Sequence, residues 1–574
     1  MKKIIAILLA ALLLTGCSSA ASAETTLPEF TTSAPTETAP APAPATPEVE
    51  YVSRFSSETA IVLSDSGITV NGGGETDAVF TSHDITYYED RDAYDSGNPY
   101  GEGTDADKHS AGEAAAHTVV NITSPGAYRV SGTLSAGQLR IDLGDAAYDD
   151  PNAVVELILD SAHITCTVAP AIVFRSVYEC DGNWSVDTAQ PTVDTTSAGA
   201  NLILAGENTV SGSYVAKIYK DAEGEKKLCK QDGAIYSYMS LNVYGPGSLD
   251  LTADNEGLDT ELHLTINGGS IAIRAGNDGI NTNEDGVSVT TINAGTLHII
   301  AGLGEEGDGI DSNGYLVING GTVVASANPA SDAGLDSDMG SYINGGTVIA
   351  LGSTMDWAES DSNQVTMNLQ FAAYQSGESA IVVTKEDGTV VFAYDPSEDE
   401  VLGENLRRYQ GAILSSPAFT QGETYQVFLD GTVSGTETGG VYETVTAYSG
   451  GTQMQYTGTD VGRSFGGRGS FGGQRPDGEA PADRELPEGE AMPGGKGGEK
   501  PEDFSGERFD RTGPEGEPPE LPEGETLPQG AAPEGRPNAP DGMTGEAPAA
   551  EGANTAFYMQ DKVNAFSGLT PVTE

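Results

Sequence analysis

Four bends of nearly one spelling constrain this chain more than any other feature. "INGG" (266–269), "INAG" (292–295), "INGG" (318–321) and "INGG" (343–346) place Asn267, Asn293, Asn319 and Asn344 at separations of 26, 26 and 25 residues. After each bend alternate positions stay apolar: Ile271, Leu297, Val323 and Val348, then Ile273, Ile299, Ala325 and Ala350. A period of this length, filled by short alternating strands, predicts repeats stacked about 4.8 Å apart with alternate side chains pointing into a narrow core. Equivalent asparagines then stack as a ladder in which each amide bonds the next. The expected fold is all-β: a right-handed parallel β-helix over 117–357, with 51–116 as an N-terminal β segment or cap. After Trp357 the period stops, and "SAIVVTKEDGTVVFAY" reads as antiparallel strands of a small β module over 358–458.

A second pattern runs in step with the first. "NEGLDTE" (255–261), "NDGINTNED" (277–285), "GDGIDSNG" (307–314) and "SDAGLDSD" (331–338) put Asp259, Asn281, Asp311 and Asp336 at one position of successive repeats. Asp278, Asp308, Asp332 and Asp338 lie beside them. From Asp250 to Asp338 there are fifteen Asp or Glu, whereas between Leu251 and Thr384 the one basic residue is Arg274. Two carboxylates one repeat apart repel by roughly 1 kcal/mol in water and about 3–4 kcal/mol at an effective dielectric near 20. With almost no cation nearby, solvation, protonation or a bound cation must relieve that repulsion. Carboxylates and amide oxygens at glycine turns are the hard ligands calcium takes, so all eight residues are candidate calcium ligands. The plainer alternative is that Asp-Gly and Asn-Gly only make tight turns on a solvated face.

The ends read as processing and display segments. Lys2 and Lys3 precede an apolar run, Ile4 to Leu14, too short to span a bilayer permanently. The run ends in Leu14-Thr15-Gly16-Cys17, which resembles the lipobox of bacterial lipoproteins. That resemblance implies removal of residues 1–16, lipid attachment at Cys17, and an exported protein anchored at the outer face of the cytoplasmic membrane. Residues 17–50 are a Ser/Thr/Ala/Pro linker. Residues 459–574 are rich in Gly, Pro and Glu, which predicts a disordered tail, although "AFYMQDKVNAFSGLTPVTE" regains apolar character near the end. Cys166, Cys180 and Cys229 remain, with no zinc spacing; a single bridge or three thiols both fit. The net charge of −59 over 574 residues disfavours nucleic acid as a partner.

"PGAYRVSGTLSAGQLRIDLGD" (125–145), "VELILDSAHITCTVAPAIVF" (155–174) and "GDGIDSNGYLVINGGTV" (307–323) resemble a clostridial-type family of exported carbohydrate-binding proteins with a pectate-lyase-like architecture. The resemblance covers about 117–355 and implies calcium sites and binding of plant cell-wall polysaccharide, notably polygalacturonate-like acidic chains. Tyr236, Tyr238, Tyr244, Tyr315, Tyr342 and Trp357 are candidates for stacking on sugar, with ordinary packing as the alternative. Two other readings compete. A calcium-dependent lyase would need a strong base, for which Arg274 is the candidate, although an ion pair is the simpler role for it. A rod or adhesin without sugar binding needs no ligand at all. His263 and His298, in strand-like runs without a companion nucleophile, are expected to face the surface.

Overall fold

The computed structural model describes residues 49–88, 103–219, 227–353, 357–461 and 553–573, all of them in one unit, Ala39–Glu574. The signal segment 1–16, Cys17, most of the linker, the segment 462–552 and the Cys229 side chain lie outside the described residues.

The chain is all-β, and the repeat is visible in its register. In one ladder Leu249, Ile271, Leu297, Val323 and Val348 pair in turn, as do Leu251, Ile273, Ile299, Ala325 and Ala350. All ten are essentially inaccessible to solvent, because strand alternation turns them all towards the core of the repeats. A second parallel ladder passes through Leu241–Tyr244, the first halves of Leu264–Ala275 and Val289–Ile300, Tyr315–Ile318 and Gly340–Ile343. A third holds Thr118–Ile122, Gly137–Asp142, Ile172–Ser176, Gly233–Ser237, Glu256–Thr260, Ile280–Thr282 and Ile310–Ser312. One continuous hydrophobic cluster lies within all three.

At the bends, Asn293 donates to Asn267 (2.9 Å), Asn319 to Asn293 (2.9 Å) and Asn344 to Asn319 (3.0 Å). Asn363, outside the repeat, donates to Asn344 at 2.9 Å and ends the ladder. The glycines after these bends, Gly269, Gly295, Gly321 and Gly346, have φ between 80° and 96°, a region where a side chain would be strained.

The expected right-handed parallel β-helix of pectate-lyase kind is corrected. The parallel strands form a closed, barrel-like body carrying extra strands. Antiparallel pairing enters at both ends: Val79–Ser82 against Thr118–Ile122 at the start, and Thr347–Gly352 against Tyr409–Ser415 at the finish. The antiparallel strands after Trp357 share the 25-stranded sheet of the repeats, although they enclose a second hydrophobic cluster around Met367, Phe371, Tyr394 and Tyr425. An alternating period reports which side of a strand faces a core. It does not report how the ends of the stack are sealed.

The tail is corrected as well. Residues 553–573, expected to be disordered, form the strands Phe557–Tyr558 and Val563–Pro571.

Candidate functional site

The acidic turns lie on the third ladder. Asp259, Asn281 and Asp311 are direct neighbours in register, and a bridge from Ile310 to Leu335 carries the column on to Asp336. Leu258, Ile280, Ile310 and Leu335, one residue earlier in each repeat, are buried in the core. Strand alternation therefore turns the acidic position away from the core, to the outer face.

A neighbouring column binds backbone. Asp278 accepts the Asp308 amide N–H (2.7 Å), Asp308 that of Ala333 (2.5 Å), and Asp332 that of Gly307 (2.8 Å). Each carboxylate thereby spends one oxygen fastening a turn to the adjacent repeat. Asp338 is exposed.

The tightest convergence includes residues that sequence reading passed over. Asp232, Glu256 and Asp259 bring carboxylate oxygens within 4.8 Å of one another, and all three are buried. Asp259 is 0 % exposed. Its Oδ1 accepts from Asn283 Nδ2 at 2.5 Å, but Asp259 Oδ2, Glu256 Oε2 and Asn281 Oδ1 are buried without a hydrogen-bond partner among the described residues. Lys230 forms an ion pair with Asp232. Burial pulls its ammonium towards neutrality, yet the charges of Asp232, Glu256 and Asp259 prevail and hold it protonated. Among the described residues Lys230 is the ammonium paired with this triad, and burial works against full ionisation of its carboxylates. The spelling could have revealed this, since Gln231-Asp232-Gly233 has the grammar of Asn255-Glu256-Gly257 and Asn277-Asp278-Gly279.

Burial, followed by neighbouring carboxylates, dominates the titration of the strip. Desolvation raises Glu256 and Asp259; the charge of Asp232 raises Glu256 further, those of Glu256 and Asp232 raise Asp259 further, and Lys230 opposes both shifts. Asp278 is raised by burial, then by Glu256, Asp311 and Asp308. Asp311 is pushed up to about 8 by burial, then by Asp336, Asp308, Glu256 and Asp338. The strip thus grades from a closed end at Asp232, Glu256 and Asp259 to a more open one at Asp311, Asp336 and Asp338.

Arg274 does not join it. Its guanidinium pairs with Asp250 at 2.5 Å, on another ladder from the acidic column, which is the ion-pair role. Both histidines expected at the surface are buried. His263 Nδ1 accepts from Val289 N at 3.1 Å, so Nε2 carries the proton and donates to Asp181 at 3.1 Å. His298 Nδ1 meets Asp399 Oδ2 at 2.8 Å, tying a repeat to the antiparallel strands. Tyr236, Tyr238 and Tyr244 are buried, which removes them as sugar platforms. Tyr315, Tyr342 and Trp357 are half-buried, and the first two rings lie 6.4 Å apart. Cys166 and Cys180 are free thiols, so no bridge joins them.

Comparison with known proteins places this geometry in context. A prokaryotic membrane lipoprotein lipid attachment site matches residues 1–18. A carbohydrate-binding domain-containing protein of Acetivibrio thermocellus is 29% identical over 157 residues, 27% of this chain and 45% of that protein. The chain therefore spans less than half the length of that relative. The solved structure of a polysaccharide lyase-like protein from C. thermocellum, a gadolinium derivative, is similar over 50% of this chain and 93% of its own, at 20% identity and a TM-score of 0.28. The family model described as carbohydrate-binding domain-containing protein matches residues 116–396, which include the whole acidic strip.

Proposed function

We propose that the protein is a lipid-anchored binder of acidic polysaccharide, such as polygalacturonate, at the outer face of the cell, and that its acidic strip holds calcium. The observation that carries the reading is the convergence of Asp232, Glu256 and Asp259, with unpartnered buried oxygens on Glu256, Asp259 and Asn281. Leaving such atoms unpaired is costly, and so is crowding three carboxylates in a buried place. A divalent cation with oxygen preference relieves both at once, and the donor set fits calcium.

The residues divide the work by exposure. Asp232, Glu256, Asp259 and Asn281 would hold an ion at the closed end, where its role is to stabilise the fold. At the open end, Asp311, Asp336 and Asp338 face a region that a ligand can reach. Calcium bound there supplies a positive centre able to accept a uronate carboxylate that the chain alone would repel. Tyr315 and Tyr342 offer partly exposed ring faces to sugar. The carbohydrate-binding family match supports sugar as the partner, and the attachment-site match supports an anchor at Cys17.

Binding is favoured over elimination chemistry because Arg274, the candidate base, is paired with Asp250 away from the acidic column. Sedimentation of the unlipidated chain with insoluble polygalacturonate tests the proposal, with calcium and then with chelator. Calcium-dependent depletion without unsaturated uronate products is the expected result. Depletion unaffected by chelator, or none at all, refutes it, and product formation would move the protein to the lyases.

A further inference from the structure

The last described residues are an interior part of the fold, although 91 residues of sequence separate them from the strand before. Val563–Pro571 lies between two neighbours. It runs parallel to Thr366–Gln375, from Thr366 opposite Val563 to Phe371 opposite Leu569. On its other side it is antiparallel to Gly458–Val461, from Gly458 opposite Ser567 to Val461 opposite Asn564.

Its side chains join both hydrophobic clusters. Val563 packs in the core of the repeats, whereas Phe557, Met559, Phe566 and Leu569 pack in the second core. Tyr456, Phe557 and Phe566 form a trio with each pair of ring centroids 4.9 Å apart. Lys562 Nζ donates to the Asn363 carbonyl at 2.8 Å, where the asparagine ladder ends. Without this segment the strand Thr366–Gln375 would present an open edge, and buried Met367 and Leu369 would lose their cover.

The two ends of the Gly/Pro/Glu-rich connector meet at one place. Tyr456 and Asn554 exchange two backbone hydrogen bonds of 2.9 Å, and Val461 stands beside Asn564. The described contacts that hold the final strand come from Thr366–Gln375, Thr452–Gln455 and Gly458–Val461.

We propose that residues 553–573 are a self-held insert. The slot between Thr366–Gln375 and Gly458–Val461 is an interaction surface whose partner is this chain's own C-terminal segment. Cleavage anywhere between 462 and 552 then leaves a two-chain protein that stays assembled, so an exported copy keeps its fold when the connector is cut. Linkage through the connector raises the effective concentration of the segment at its slot.

The test uses the complete chain with a site-specific protease sequence placed within 490–530. The uncut chain is expected to run as a monomer, and after cutting the two fragments co-elute until denaturant is added. Phe566→Asp should release the small fragment after cutting. Amide hydrogen exchange on the uncut wild-type chain gives an independent reading, with slow exchange expected at 564–569 as at 366–370. Separation of the wild-type fragments under native conditions overturns the proposal, as does fast exchange at 564–569. Fragments that cross between copies in a dimer would assign the slot to a second copy and overturn it equally.

Discussion

At the scale of single residues the acidic strip sets the chemistry. Glu256, Asp259, Asp278 and Asp311 are all raised by burial and then by neighbouring carboxylates. A carboxyl raised in the folded state holds a proton that the unfolded chain gives up. Its contribution to stability is complete below the ordinary carboxylate range near pH 4, and is lost as pH rises through the folded value. For Asp311 that window ends at about 8. In chelator the melting temperature should therefore fall between pH 5 and pH 8.5, and calcium should flatten the fall. A midpoint that is constant or rises over this range would contradict the assignment. Lys230→Gln removes the ammonium paired with Asp232, and breaking such a buried pair costs about 3–5 kcal/mol. Thermal melts in chelator should show that loss, with partial recovery on adding calcium. Arg274→Ala removes a partly exposed pair, for which a change below about 1 kcal/mol is expected, with polygalacturonate binding unaltered.

At the scale of elements, the stack depends on close backbone approach and on the asparagine ladder. Asn319 both donates to Asn293 and accepts from Asn344. Asn319→Ala should cost about 1–2 kcal/mol, at about 1 kcal/mol for each net hydrogen bond, measurable as a lower urea midpoint. A Cβ at Gly314 would stand 1.9 Å from the Ser288 carbonyl oxygen, so Gly314→Ala must shift backbone and should destabilise by more than about 1 kcal/mol. Ile271, Leu297, Val323 and Val348 were legible as core because their spacing and alternation are written along the chain. The ladder was legible for the same reason. The buried triad was legible only in part: Gln231-Asp232-Gly233 repeats the acidic spelling, but it precedes the segment in which that spelling is dense. His263 and His298 were misread because Asp181 and Asp399, which receive them, lie 82 and 101 residues away. A strand pattern cannot report a partner brought in by tertiary packing.

At the scale of the whole molecule, local pattern gave an all-β chain of stacked parallel strands, while the closure of that stack came from elsewhere. The ends are sealed by antiparallel strands and by residues 553–573, which follow a long segment of low apolar content. Composition alone assigned those residues to a tail, since nothing local to Val563–Pro571 names Thr366–Gln375 as its partner. The functional reading rests on the other feature that spans repeats, the closed end of the acidic strip, and calorimetric calcium titration at neutral pH tests it most directly. Wild-type chain should bind calcium with release of protons, because ion uptake at raised carboxyls displaces them. The chain carrying both Glu256→Gln and Asp259→Asn should lose at least one ion per molecule while remaining folded. Equal stoichiometry in the two proteins, or no calcium uptake by the wild type, would contradict the account.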